Sequence, residues 1–333
     1  MKLKLLLALL VIGSQSCTKD KTGTETAPVK DSIVVIKPPV TGTDTIPKSN
    51  YDLSLLDKTN LFSTSSVVTA LKRQDYKELS GIAASQNYAG VLYVHEDSGN
   101  SNEVYITNTK GEDLGKVILD GVYNRDWEDI AYGPGPDPSR KYIYVAEIGD
   151  NDSKYPSVFV YRFPEPVIDL NSSGNALHVT PDKLQFTYPK GAVNAESLLL
   201  DPLTKDLYIA TKEQAKSTLY VAKYPQALNA STVLTPLARL PFDLLTSGDI
   251  SPDGTEILLR NTGQIWYWKR RPNESVAQTI LRKPQDAPYS RNEHQGEAVC
   301  FAWDGSGYLT TSETKKYPGD FSALSFYQRI KTN

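Results

Sequence analysis

One unit recurs five times along this chain, opening at Glu78, Asp126, Asn194, Thr246 and Gln295. Self-similarity at a period of roughly 40 to 50 residues points to a propeller or an array, because such a unit must stack on a neighbour to bury its apolar face. The copy from Asp126 to Asn151 shows the unit best. Asp126-Trp127-Glu128-Asp129-Ile130-Ala131 leads through Pro134, Gly135, Pro136 and Pro138 to Lys141-Tyr142-Ile143-Tyr144-Val145-Ala146-Glu147. Two strands joined by a Gly/Pro turn are expected there.

Superposed, the openings share an apolar column, Ile82, Ile130, Leu198, Ile250 and Val299. Two residues earlier stand Ser80, Glu128, Glu196, Gly248 and Glu297. A second apolar triplet follows in each copy, as Leu92-Tyr93-Val94 does in the first, and then polar residues: Glu96-Asp97, Glu147, Thr211-Lys212-Glu213, Arg260-Asn261 and Ser312-Glu313. Third strands are expected around Tyr105, Phe159, Tyr220, Trp266 and Ser325, and fourth strands at 116–119, 184–187, 233–240 and 279–281. The last copy lacks a fourth strand, while Ser66 to Leu71 reads as a strand placed before the first copy. The expectation is an all-β chain: a single β-propeller of five four-stranded antiparallel blades, closed by that N-terminal strand. A sixth, degenerate blade is the alternative, because the interval between Asp126 and Asn194 is long; Asp169 to Gly174 reads there as an inserted loop.

Residues 1–17 read as an address. Lys2 and Lys4 form a positive n-region, and the apolar run Leu5 to Ile12 is too short to span a bilayer. With Ser16 before Cys17, the segment resembles a bacterial lipoprotein signal, which implies lipidation of Cys17 and an outer-membrane lipoprotein, surface-exposed or periplasm-facing, held through its lipid anchor only. An ordinary secretory signal is the other reading. Thr18-Lys19-Asp20-Lys21 resembles the charged export tag of surface lipoproteins in some Gram-negative bacteria. Residues 18–50 are rich in Thr, Lys, Asp and Pro without an aromatic, and read as a tether; residues 51–333 form the propeller domain.

A net charge of −3 supplies no basic stripe for nucleic acid. There is no His-Glu-x-x-His, no glycine-flanked serine elbow and no phosphate-cradling glycine loop. Cys300 lies on an apolar strand, where a buried thiol is expected, and Trp127, Trp266, Trp268 and Trp303 are expected to pack between blades.

In an antiparallel blade the start of the first strand and the end of the second share a face, so the polar segments converge on one mouth. Glu96, Glu128, Glu147, Glu196, Glu297 and Glu313 are the candidate metal ligands, with Ser80 and Asp97 on the same ring, Glu78, Asp126, Asp150 and Asp249 close by, and Lys212 and Arg260 as opposing bases. Several carboxylates in one funnel call for raised pKa values, basic partners or a cation, and hard oxygen ligands suit Ca²⁺. His95 and His294 fall on adjacent blades of a closed ring and are expected at the mouth. His294, Glu297 and Glu128 are the candidate catalytic groups.

Glu78-Leu79-Ser80-Gly81-Ile82-Ala83 with Glu96-Asp97, and Trp127-Glu128-Asp129-Ile130-Ala131 with Glu147, resemble the acidic inner-strand signatures of phytase-like and SdiA-regulated β-propeller proteins of the TolB-like superfamily. The likeness covers about residues 75 to 315 on short motifs, and it implies calcium in the tunnel and, in some members, phosphoester or lactone hydrolysis. Ser80 and Gly248 depart from it, since a carboxylate is missing there. Two functions follow as expectations: a surface-anchored module binding a cation and an unknown small molecule or surface partner, or a Ca²⁺-dependent hydrolase.

Overall fold

The computed structural model of the chain describes residues 34–36, 46–214 and 216–330. The address segment with Cys17, and most of the expected tether, lie outside the described residues. The rest folds into five sheets that form a five-bladed β-propeller. The inner strands are Leu79–Ala84, Trp127–Pro134, Ala195–Leu200, Leu245–Ile250 and Gly296–Phe301. Each pairs antiparallel with a second strand: Val91–Glu96, Lys141–Glu147, Leu207–Thr211, Glu256–Asn261 and Gly307–Ser312. Third strands are Glu103–Asn108, Val158–Pro164, Ser217–Ala222, Gln264–Lys269 and Ala323–Gln328. The outer strands are Asp113–Leu119, Asp182–Thr187, Thr235–Leu240, Gln285–Ala287 and, from the N-terminal side, Val67–Ala70.

The sixth-blade alternative is thereby excluded. The long second interval holds one extra strand, Asn175–Val179, which crosses to blade 1 and pairs in parallel with Asp113–Leu119. Ala230–Val233 of the third copy likewise laces onto the outer strand of blade 2. One expected outer strand is corrected. Residues 279–281 end a short helix, Val276–Ile280, which Ser275 and Gln278 open as a reciprocal capping box, and the outer strand of blade 4 follows at Gln285–Ala287.

The inner strands of blades 1, 3 and 5 are buried along their whole length, because a blade is covered on both faces by its neighbours. The core is therefore five slabs, one between each pair of blades. Trp127, Tyr93 and Ile143 fill the slab between blades 1 and 2, and Trp266, Trp268 and Phe242 the one between blades 3 and 4. Trp303 departs from its expected packing role; it precedes the turn at Asp304-Gly305 and is 41% exposed.

Polar clasps join the blades at the end opposite the mouth. Glu165 of blade 2 accepts hydrogen bonds from Ser85 Oγ (2.6 Å), Asn87 Nδ2 (2.6 Å) and Tyr93 OH (2.7 Å) of blade 1. Arg270 of blade 4 pairs with the buried Asp201 of blade 3 at 3.0 Å, and Arg329 reaches Glu256 at 2.6 Å between blades 5 and 4. Truncating Arg270 would leave the buried Asp201 carboxylate without its basic partner, the costly way to break such a contact.

The N-terminal segment is a belt. Lys48 bridges Arg239 on blade 3, Thr59 N–H donates to Asp286 O on blade 4 (2.9 Å), and Phe62 bridges Arg329 on blade 5. Val67–Ala70 then completes blade 5, with Val67 opposite Phe326 and Ala70 opposite Ala323. Pairing to the rim thus includes Lys48, ahead of the expected boundary at residue 51, and Val34–Ile36, within the expected tether, pairs in parallel with Ala230–Val233.

Removing residues 46–73 strips this belt and exposes the edge of Ala323–Gln328 to other chains. The truncated protein is expected to lose several kcal/mol or its solubility. A thermal melt at the parental temperature would show that the belt closes nothing.

Candidate functional site

The mouth is made by one backbone irregularity repeated in every blade. Between inner and second strands the register slips by one residue at the same place: Leu79/Gly81, Trp127/Asp129, Ala195/Ser197, Leu245/Ser247 and Gly296/Ala298. Such a bulge leaves one residue unpaired and re-aims its side chain. The residues so singled out are Ser80, Glu128, Glu196, Thr246 and Glu297.

This corrects one position. Gly248, expected in the ring, stands opposite Leu259 in the apolar column, and Thr246 takes the bulge of blade 4. A slip of two residues keeps every side chain on the same face, so the apolar residue Ile250 could stand in for the true column member. The two uncharged ring members bond to their neighbours. Ser80 Oγ donates to Glu128 O at 2.7 Å, and Thr246 Oγ1 to Gly296 O at 3.3 Å.

Three carboxylates meet on the side of blades 1 and 2. Asp97, just past the second strand of blade 1, Asp126, entering blade 2, and Glu128 each offer an oxygen within 4.8 Å of the other two. Glu128 is 3% exposed. A Cβ on Gly149 would collide with Glu128 Oε1 and with the Asp126 carboxyl, so a side chain there would push these two carboxylates out of their present positions. Two charges at such a distance repel by about 3 kcal/mol at the effective dielectric of a protein.

The proton equilibria reflect this crowding. Burial, then the Asp97 charge, pushes the Asp126 carboxyl up to about 6. Burial, then Glu196 and Asp97, raises Glu128 well above the usual carboxylate range, and burial raises Asp97. This geometry can hold a hard cation. Asp97 and Asp126, on or near the expected ring, lie outside the expected ligand set because neither occupies the repeated glutamate position.

Across the mouth, Lys212 of blade 3 makes a salt bridge to Glu196, and its ammonium is held protonated by Glu196, Glu297 and Glu128 against the cost of burial. Burial still raises the Glu196 carboxyl, with Lys212 opposing. Glu297 accepts from Gln295 Nε2 at 3.0 Å and is raised by burial and by Glu196. Glu313 is pushed up to about 7 by burial, then by Glu297 and Asp97, and its Oε2 is buried without a hydrogen-bond partner.

The other expected ligands are engaged elsewhere. Glu96 accepts the backbone N–H groups of Lys77 (2.8 Å) and Glu78 (3.3 Å). Glu147 faces Arg125 at 3.7 Å and Tyr161 OH at 3.3 Å. Arg260 lies between blades 4 and 5, donating to Ala298 O at 2.8 Å.

His95 is wholly buried, edge-on to Trp127 with ring centroids 5.7 Å apart, and burial pushes its pKa down to about 4. It is a neutral packing group of the core rather than the mouth histidine expected. His294 turns to Asp320 (Nδ1 to Oδ2, 2.9 Å) and stacks on Tyr317, lining a cleft whose walls include none of the mouth carboxylates.

Below the mouth stands a carboxylate outside the expected ring. Asp129 is fully buried and accepts hydrogen bonds from Leu198 N (2.9 Å), Gly248 N (3.3 Å) and Ser247 Oγ (3.1 Å), tying blade 2 to blades 3 and 4. Ser247 Oγ accepts in turn from Val299 N of blade 5 at 3.2 Å. A charged residue within an apolar inner strand was the available signal, because a buried carboxylate must find donors.

No protein-family model matches this chain, and no curated protein matches it. The five-bladed fold and the acidic triad are thus established on the chain's own geometry, and the likeness to phytase-like proteins stays with the motifs that carry it.

These pKa shifts fix the sign of a pH dependence. Carboxyls raised in the folded state hold protons that the unfolded chain has released, so stability falls as pH rises from the ordinary carboxylate range through about 7. A differential scan in chelator is expected to show a melting temperature that drops between about pH 5 and pH 8. A melting temperature that rises across that window would contradict the crowding described.

Proposed function

We propose that this propeller binds one divalent cation at Asp97, Asp126 and Glu128 and uses it to hold a small molecule or a surface partner at the mouth. The observation that carries this reading is the convergence of three carboxylate oxygens within 4.8 Å. All three donors are hard oxygens, with no thiolate or imidazole among them. Such a set suits Ca²⁺, which accepts irregular geometry and completes its shell with water or ligand oxygens, better than Mg²⁺, which demands a near-ideal octahedron. Lys212 supplies the positive charge on the opposite side, so the cation and the ammonium divide the mouth between them.

Hydrolysis of a phosphoester or lactone on the bound cation is the second reading. Its support is that burial, then the charges of Glu196 and Asp97, raise the Glu128 carboxyl inside the triad well above the usual carboxylate range, the direction a general acid requires. His294 offers no help, since its ring nitrogen is engaged by Asp320 in a separate cleft. This reading requires turnover of an aryl phosphate or a lactone that chelator abolishes.

A ligand that binds only the folded state stabilises it by about 2.7 kcal/mol at a hundredfold excess over Kd. Melting is expected to rise with millimolar Ca²⁺ at pH 8 and to rise little at pH 5, where protons compete. Asp126→Asn and Glu128→Gln together should raise the melting temperature in chelator and remove the response to Ca²⁺. Parent and double variant that melt alike, with and without Ca²⁺, would remove the metal from the account.

The cellular side of the proposal is an outer-membrane lipoprotein anchored at Cys17, supported by the n-region, apolar run and cysteine at its start. Cys17→Ala should leave the protein unprocessed or released from membranes. Fractionation with the outer membrane as complete as the parent's would sink the lipoprotein reading.

A further inference from the structure

A second concavity lies on the flank of blade 5, apart from the mouth. Its volume is about 520 Å³, within the roughly 300–1,000 Å³ of small-molecule sites. The loop carrying Asn292, Glu293 and His294 lines it on one side and the segment with Asp320 and Phe321 on another, and Val68, Ala323 and Ser325 of the outer and third strands line it as well.

Two polar groups there are fixed before any ligand arrives. The His294 ring lies flat on Tyr317, with centroids 4.9 Å apart and planes 19° apart, and Asp320 holds Nδ1 at 2.9 Å. That leaves Nε2 as the ring's remaining bonding atom, on a side chain 48% exposed. Glu293 is 7% exposed, and its carboxylate is set by Thr310 Oγ1 (2.8 Å), Tyr327 OH (3.1 Å) and the fully buried Arg260 (3.4 Å). Groups locked in this way lose little entropy on binding.

The chemistry of the walls narrows the occupant. No lysine or arginine lines the cleft, while two carboxylates do, so an anion is disfavoured. One imidazole, with Asp320 already committed to its other nitrogen, does not make a metal centre. What remains is a set of groups that both give and take hydrogen bonds, the hydroxyls of Ser290, Ser312 and Ser325 and the amide of Asn292, while Thr311 Oγ1 already donates to Ala323 O at 3.0 Å. Beside them stands Phe321, a flat apolar ring 54% exposed to solvent. Hydroxyls that donate and accept, set around a ring whose C–H face is apolar, are the features of a sugar.

We propose that this blade-5 cleft is a saccharide-binding site, with Phe321 as the stacking platform and His294 and Asn292 as the groups that read the hydroxyls. It does not depend on the cation at the mouth.

Saturation-transfer NMR on the purified full-length protein, with glucose, galactose, N-acetylglucosamine and their β-linked disaccharides as probes, tests it. At least one probe should give transfer that chelator and the Glu128→Gln change leave intact. Phe321→Ala and His294→Ala should each weaken binding about tenfold or more, and Phe321→Tyr should retain it. Absence of transfer from every probe, or binding by Phe321→Ala as tight as the parent's, overturns the assignment. Transfer lost on Glu128→Gln would move the sugar to the mouth and equally overturn it.

Discussion

Six carboxylates, on Asp97, Asp126, Glu128, Glu196, Glu297 and Glu313, share one mouth, and the salt bridge they make among the described residues is that of Glu196 to Lys212. This imbalance sets the character of the site. Held in water, such acids would be ionised near pH 4; buried together, all six are raised, Asp126 to about 6 and Glu196, Glu297 and Glu313 to about 7, unless a cation replaces the protons. The unpartnered Glu313 oxygen and the close approach of the Glu128 and Asp126 carboxyls to Gly149 are marks of that compression.

A fold can hold such a cluster only if something stiff surrounds it. The five bulged inner strands supply the geometry, because the same one-residue slip in every blade turns one side chain to the axis. Beneath them Asp129 and Ser247 link blades 2 to 5 through backbone N–H groups, so the inner strands cannot spread without leaving buried donors unpaired. The apolar slabs between blades and the clasps at Glu165, Asp201 and Glu256 close the ring on the far side. Stability thus comes from the slabs, while the mouth draws on it.

Much of this architecture was legible from residue order. Apolar triplets recur at blade spacing because every blade is covered on both faces, and the missing fourth strand of the last copy announced closure by Val67–Ala70. The ring glutamates on blades 2, 3 and 5 were legible because a bulge recurs at one sequence position. Blade 4 was misread by two residues, since the strand period cannot distinguish registers that differ by two, and its outer strand was masked by an apolar run that Ser275 caps into a helix. Asp97 and Asp126 join Glu128 from a strand end and a strand entry on different blades, a meeting that depends on inter-blade spacing. His294, expected at the mouth, is drawn away from it for the same reason: its partner Asp320 is brought to it by a connection within blade 5.

The central claim is that the triad between blades 1 and 2 is a cation site. Crystals grown with Ca²⁺, and in parallel with a lanthanide, would locate the ion by anomalous scattering. The account predicts a peak bounded by Asp97, Asp126 and Glu128, with carboxylate oxygens at about 2.3–2.6 Å. A map with no peak there, or an ion held only elsewhere on the molecule, would contradict it.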